Sequence, residues 1–524
     1  MSLFYRYLKL ALCAYAAQAL AGPATWHEQE LLSIPPSDHL PAIEATIKLP
    51  IDHFNASDSR TYANRYWFNA TFYRPGGPVL FYDEGERGVA HGLVPPAFLP
   101  GHPVTQLAEQ FHGLVVAWEH RFYGLSTPFP ALNATSPPSE MKAAFQYLNT
   151  EQSLEDTVFF AKHFNPPGLE DVWKSLRPNT TPWVWIGGSY AGQRAVMIRK
   201  RNPETFWASW SSSAPIEVAL EFPAYYLQVA RELPRRCREI IRQAVESVDE
   251  VLLRGSRTQK AKLRWEIVRR WNGDRSWREK MIFVASAPDF VVAEWFMHVI
   301  TADWQWTGMS GGMNETCRHL TREGASQRAV LDANETAVLA VLDAIAASEE
   351  SHSRPPPFSS YPMDDLAWRY QVSTEYPYLA TSSPRSPYNI LSSVLDFNCT
   401  WYYHHELNLP WTTSPPNVSS SVPARYAGWN VDLPERVMIT SGLRDPWHQL
   451  SALPIGSLVP GAPNRTAREA VPACGQKSAE VEVFGLVMEE GRHCADLIMG
   501  SAEAKQATEL FAKALEVWLP CFRK

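Results

Sequence analysis

The run Pro182-Trp-Val-Trp-Ile186 passes without a polar break into Gly187-Gly188-Ser189-Tyr190-Ala191-Gly192, and residues Ala191 to Lys200 then favour helix. Few arrangements satisfy this order. A buried strand must end in a tight turn with the serine at its apex, and a helix must follow at once. Such a turn holds the hydroxyl clear of the backbone and demands small residues on either side. The same alternation precedes it. Pro78–Tyr82 and Gly113–Trp118 read as buried strands, with a short helix from Val104 to Phe111 between them. Thr150–Phe164 opens on a capping residue and carries Leu154, Val158, Phe159 and Ala161 at helical spacing. Trp207–Pro215 reads as one more strand. Strands alternating with helices imply a parallel sheet covered on both faces.

The character then changes. From Pro223 to Ala347 the chain is rich in Arg, Glu, Ala and Leu at helical spacing, followed by a Pro-rich span and an aromatic-rich one. Strand signatures return at Arg436–Thr440 and Val481–Phe484, and Ala502–Trp518 reads as a closing helix. About 500 residues exceed what one compact core usually holds. The expected architecture is an α/β-hydrolase fold with an inserted, mainly helical cap. Residues 1–21 would be a signal peptide, 22–215 and 431–524 the two parts of the sheet domain, and 216–430 the cap.

A serine hydroxyl is a weak nucleophile until a base takes its proton, and the base needs a carboxylate to fix its tautomer. In this fold the chain order is Ser, acid, His, with the last two on loops after late strands. Ser441-Gly-Leu-Arg-Asp445 follows the strand ending at Thr440, and Gly491-Arg-His493 follows the one ending at Phe484. Ser189, Asp445 and His493 are therefore the expected triad, with His448 and Asp496 as competitors. The literal Gly-X-Ser-X-Gly pattern occurs elsewhere, at Gly308–Gly312 around Ser310, but neither a buried strand nor a helix flanks it. The oxyanion hole needs two N–H donors. Tyr190 is expected to supply one, and Gly85, in the loop Asp83-Glu-Gly-Glu86, the other. Glu84 and Glu86 offer an alternative use for that loop, binding a charged substrate terminus.

The beginning of the chain points to export. Arg6 and Lys9 precede an apolar run from Leu8 to Leu20, and Ala19-Leu20-Ala21 suits cleavage after Ala21. Sequons occur at Asn55, Asn69, Asn133, Asn179, Asn314, Asn334, Asn398, Asn417 and Asn464, all expected to carry glycans. Of seven cysteines, Cys13 lies in the signal. The other six (Cys237, Cys317, Cys399, Cys474, Cys494, Cys521) allow 15 pairings, among which sequence does not choose. No Cys-X-X-Cys is present, so neither a metal nor another cofactor is expected. A net charge of −7 argues against nucleic acid, and no later apolar run is long enough for a membrane span.

Several segments together resemble the S28 family of serine peptidases. They are Asp52-His-Phe54, Glu119-His-Arg-Phe-Tyr-Gly124, Gly187-Gly-Ser-Tyr190, Ser212-Ser-Ala-Pro215, Trp368-Arg-Tyr-Gln371 with Thr374-Glu375, Asp445-Pro-Trp447 and His493-Cys-Ala-Asp-Leu497. The resemblance implies the helical cap and the same triad. It also implies cleavage after proline in peptide or protein substrates under acidic conditions, in a secreted or lysosome-like compartment, by a monomer or homodimer. Two departures stand out. Ser373 replaces a cysteine that many members carry, and Ala191 replaces a glycine. A secreted esterase on the same scaffold would use the same triad, and a silent binding protein would normally lack part of it. Ester and peptide panels separate the first from a peptidase; a serine-directed phosphonate separates the second.

Overall fold

The computed structural model describes residues 40–90, 93–133, 135–270, 277–301, 304–307, 312–322, 335–349, 361–401, 409, 425–430 and 432–522. Their strands are β1 (Ile43–Pro50), β2 (Thr61–Asn69), β3 (Val79–Asp83), β4 (Leu114–Trp118), β5 (Trp183–Gly188), β6 (Ala208–Ser212), β7 (Ala219–Glu221), β8 (Tyr378–Leu379), β9 (Val437–Gly442), β10 (Thr466–Arg468) and β11 (Glu482–Met488). One sheet has the order β1-β2-β4-β3-β5-β6-β9-β11-β10. β2 runs antiparallel to β1 and β4, and from β4 onward every pairing is parallel. This order, with a serine turn after β5, is the expected α/β-hydrolase fold.

The parallel strands β3, β4 and β5 read as apolar runs because both faces are covered. Successive side chains point to opposite faces. Leu80, Val115, Val184 and Ile186 pack toward the helices Pro103–Phe111 and Ala502–Trp518, in one cluster with Leu107, Phe511 and Trp518. The alternating residues Phe81, Trp118, Trp183 and Trp185 meet Phe160 and Phe206 on the other face, with ring centroids 4.8–6.2 Å apart. Burying each such side chain contributes roughly 1.5–3 kcal/mol. β1 and β2 escape the sequence patterns because β2 carries Asn64 and Arg65 inward. Arg65 forms a buried ion pair with Glu119, and Asn64 Nδ2 donates to the Glu119 carbonyl at 2.8 Å.

The chain divides into two compact units. The sheet unit takes the described residues within 24–219, 358–377 and 414–524; the helical unit takes those within 220–357 and 378–413. In the helical unit, Arg235–Arg254 is amphipathic, burying Cys237, Ile240, Ile241, Ala244, Val245, Val248 and Leu252 at helical spacing. Cys237 is bonded to Cys317 across 80 residues. The stretch 358–377, read from sequence as part of the insertion, groups with the sheet unit because its helix Pro362–Thr374 is bonded there. Asp364 accepts from Gly88 N at 2.8 Å and from Gly124 N at 2.9 Å.

Cys474 is bonded to Cys521, Cys494 is a buried free thiol, and the Cys399 side chain is outside the described residues. The signal segment, Ser310, Asn334 and Asn417 also lie outside them. Among the sequons, Asn55, Asn133, Asn179, Asn398 and Asn464 are exposed and Asn314 is half-buried. Asn69 departs from the expectation. It is 2 % exposed, and its Nδ2 donates to the Pro41 carbonyl at 2.6 Å and to Thr71 Oγ1 at 3.0 Å, which leaves no room for a glycan. No helix among the described residues is long and apolar enough to cross a membrane.

Candidate active site

Ser189 stands at the end of β5 with φ of 55°, the left-handed region that costs a non-glycine residue strain, and opens the helix Ser189–Arg201. Two glycines make this possible. A Cβ on Gly187 would lie 2.7 Å from the Ala191 carbonyl, and one on Gly192 would lie 2.7 Å from the Ser212 carbonyl of β6. Gly192 therefore provides the close approach of helix to sheet, and position 191 has room for a methyl group.

Asp445 and His493 come together from the loops after β9 and β11. His493 Nδ1 donates to Asp445 Oδ2 at 2.8 Å, with both side chains fully buried. The other carboxylate oxygen, Oδ1, accepts from Trp447 N at 2.9 Å, so both oxygens are directed. Burial acts against a charged imidazole, but the Asp445 carboxylate outweighs it and holds the His493 pKa well above the usual histidine range. Backbone bonds tie the two loops together: Leu443 N to Met488 O at 2.9 Å and Arg444 N to Gly491 O at 3.0 Å. The His493 loop also lies against the serine turn, since a Cβ on Gly188 would meet Cys494 Sγ at 2.7 Å.

The two competitors are engaged elsewhere. His448 bonds through Nδ1 to Ser441 Oγ at 2.8 Å and through Nε2 to the Ile455 carbonyl at 3.0 Å. Asp496 accepts from Ser212 Oγ at 2.5 Å, from Trp210 Nε1 at 3.2 Å and from the Thr440 hydroxyl, pinning the His493 loop to β6 and β9.

Helix geometry leaves the Tyr190 N–H without an acceptor inside its own helix. Gly85 departs from expectation, because its N–H turns back to Asp83 Oδ1 at 3.3 Å rather than outward. The loop itself is rigidly held. Asp83 pairs with Arg194 of the serine helix at 2.5 Å, and Val89 N donates to Glu119 Oε1 at 3.0 Å. The segment Glu119–Gly124 turns out to be scaffolding beneath this turn: Arg121 pairs with Asp156 at 2.5 Å, and His120 Nε2 lies 3.2 Å from the Tyr190 hydroxyl. Gln371 completes it, donating to the Tyr190 hydroxyl at 2.8 Å and accepting from the Tyr123 hydroxyl at 2.5 Å.

Glu375 caps the C-terminus of the helix Pro362–Thr374, its N–H donating to the Gln371 carbonyl. It accepts from both Thr150 N and Thr150 Oγ1 at 2.8 Å. Burial pushes its carboxyl up to about 7, against the pull of those two bonds. Its folded-state pKa thus exceeds the unfolded one, so the folded state holds the proton more tightly. The stability this contributes is complete below the usual glutamate value and is lost as pH rises through about 7. Thermal unfolding should therefore show a higher midpoint at pH 5 than at pH 8, with a loss on the order of 2 kcal/mol. Glu375→Gln should flatten that dependence; an equal slope in both proteins would remove Glu375 as its source.

Comparison with known proteins shows what the chain is similar to. The model of the family described as serine carboxypeptidase S28 matches residues 49–457. The human thymus-specific serine protease is 29% identical over 425 residues, 76% of each chain, and the serine protease vicPb of Bipolaris victoriae is 26% identical over 441 residues, 76% of this chain and 77% of its own. A probable extracellular serine carboxypeptidase of Arthroderma benhamiae is 34% identical over 216 residues, but that match spans only 40% of this chain and 28% of the relative. Among solved structures, a proline iminopeptidase of Mycobacterium smegmatis aligns over 91% of this chain and 99% of its own at 12% identity, with a TM-score of 0.34.

Proposed function

Because the chain belongs to the serine carboxypeptidase S28 family, we propose that it is a secreted serine peptidase in which Ser189, His493 and Asp445 hydrolyse the bond on the C-terminal side of proline. The carrying observation is the fully buried 2.8 Å bond from His493 Nδ1 to Asp445 Oδ2, on a loop packed against the turn that strains Ser189 outward. His493 Nε2 takes the Ser189 proton as Oγ attacks the carbonyl carbon. The resulting oxyanion is met by the Tyr190 N–H and by a second donor from the loop after β3. The C–N bond then breaks, and the amine leaves with the proton from His493. Water, deprotonated by the same imidazole, attacks the acyl carbon and regenerates Ser189.

Three peptides test the proline reading: an X-Pro-amide with a free amino terminus, its blocked form, and a blocked peptide with proline before its final residue. Turnover after proline in at least one, absent from Ser189→Ala, is expected. Silence on all three with intact phosphonate labelling would sink the proline preference and leave Ser189 as the nucleophile.

A further inference from the structure

The helix Pro362–Thr374 and the residues just after it put three side chains on one residue of the serine turn. Trp368 and Tyr376 flank the Tyr190 ring, with centroids 5.6 and 5.1 Å away, and Gln371 Nε2 donates to its hydroxyl at 2.8 Å. The hydrogen-bonded chain around that hydroxyl runs in one direction. His120 Nδ1 lies 2.6 Å from the Arg121 carbonyl, which can only accept, so Nδ1 carries the proton. Burial, joined by the Arg194 charge, holds the His120 pKa well below the usual histidine range and favours the neutral ring. Its bare Nε2 then accepts from the Tyr190 hydroxyl at 3.2 Å. The Tyr190 oxygen is left to accept from Gln371 Nε2, while Gln371 Oε1 accepts from the Tyr123 hydroxyl at 2.5 Å. All four side chains are buried, where an unmade hydrogen bond is costly.

An oxyanion donor works only if it is already aimed when the charge develops, and a misplacement of about 1 Å can cost about 10²-fold in rate. Ser189, at φ of 55°, is a strained neighbour, and strain persists only where the surroundings over-determine it. Close packing of Gly187 and Gly192 sets the turn, and the anchored Tyr190 side chain fixes the residue that follows it. We propose that Gln371 is a positioning residue for catalysis: its bond to the Tyr190 hydroxyl, shared with His120, keeps the Tyr190 N–H aimed at the oxyanion. This rests on Ser189 as the nucleophile and Tyr190 as an oxyanion donor, but not on the preference for proline.

The test is a double-mutant cycle on any peptide amide that the wild-type protein cleaves, with or without proline. Tyr190→Phe removes only the hydroxyl; Gln371→Met keeps the length of the side chain and loses its amide. Each is expected to lower kcat about tenfold and to leave KM within about twofold of wild type. The double variant should lose far less than the product of the two, because both changes break the same bond. Phosphonate labelling of Ser189 should slow in step with kcat, since the adduct puts an oxygen where the oxyanion sits. A wholly structural role would instead lower the thermal midpoint and leave kcat alone. Tyr190→Phe with kcat within about twofold of wild type, or a double variant whose loss equals the product, would overturn the assignment. Should Gln371→Met fail to be secreted, Tyr190→Phe decides the case. Phosphonate labelling that persists in Ser189→Ala would overturn it together with the site.

Discussion

Ser189→Ala is expected to lower kcat/KM by at least about 10³-fold and by as much as about 10⁶-fold. Stability should change by no more than about 0.5 kcal/mol. The two numbers separate because of where the residue sits. Its φ of 55° is imposed by the close packing of Gly187 and Gly192, not by any bond of the hydroxyl, so alanine inherits the same turn. Chemistry has no such substitute. Without Oγ no acyl-enzyme forms, and only water positioned by the oxyanion donors remains, which is the source of the residual rate. Secreted yield, thermal midpoint and phosphonate labelling read the three consequences independently. A variant that folds, fails to label and still cleaves would place the nucleophile elsewhere.

What the sequence reveals depends on how local the cause is. β3, β4 and β5 are legible because burial on both faces writes itself as an apolar run. The serine turn is legible because its small residues are adjacent. Asp445 and His493 are found by position after late strands, and the structure brings them within hydrogen-bond distance. Other features depend on distant partners. Arg65 makes β2 look polar, and the Glu119 that neutralises it lies 54 residues away. Gln371 reaches the Tyr190 hydroxyl from 181 residues away, so a helix that resembles part of the insertion belongs with the sheet. Gly85 shows a finer limit. Its place in the loop suits an oxyanion donor, and only the Asp83 side chain shows where its N–H points. Asn69 has a complete sequon, and its burial is a property of the folded chain alone.

Asp445→Asn should reduce kcat by about 10⁴-fold with little change in the fold. The cause is a choice between two ends of the amide. Oδ1 of Asp445 already accepts from Trp447 N at 2.9 Å, and an asparagine would keep its carbonyl oxygen there. Its NH₂ would then face His493 Nδ1, which selects the tautomer with the proton on Nε2, where the base must be bare. The pH profile should move as well. Burial lowers the His493 pKa, and the Asp445 charge leads the groups that raise it, ahead of Cys494, so a neutral amide leaves burial much less opposed. The acidic limb of kcat/KM, which reports the free enzyme's base, should shift to lower pH in the variant. An unshifted limb would mean that His493 is not that base. In the wild type the same charge works against activity in acid, whereas protonation of Glu375 makes the fold more stable there. The working range is thus bounded by opposed titrations, with activity rising as His493 deprotonates and stability falling as Glu375 does. Measuring both profiles on one preparation separates them: Glu375→Gln should move only the stability profile, whereas Asp445→Asn should move the activity limb and, through the lowered His493 pKa, the stability profile with it.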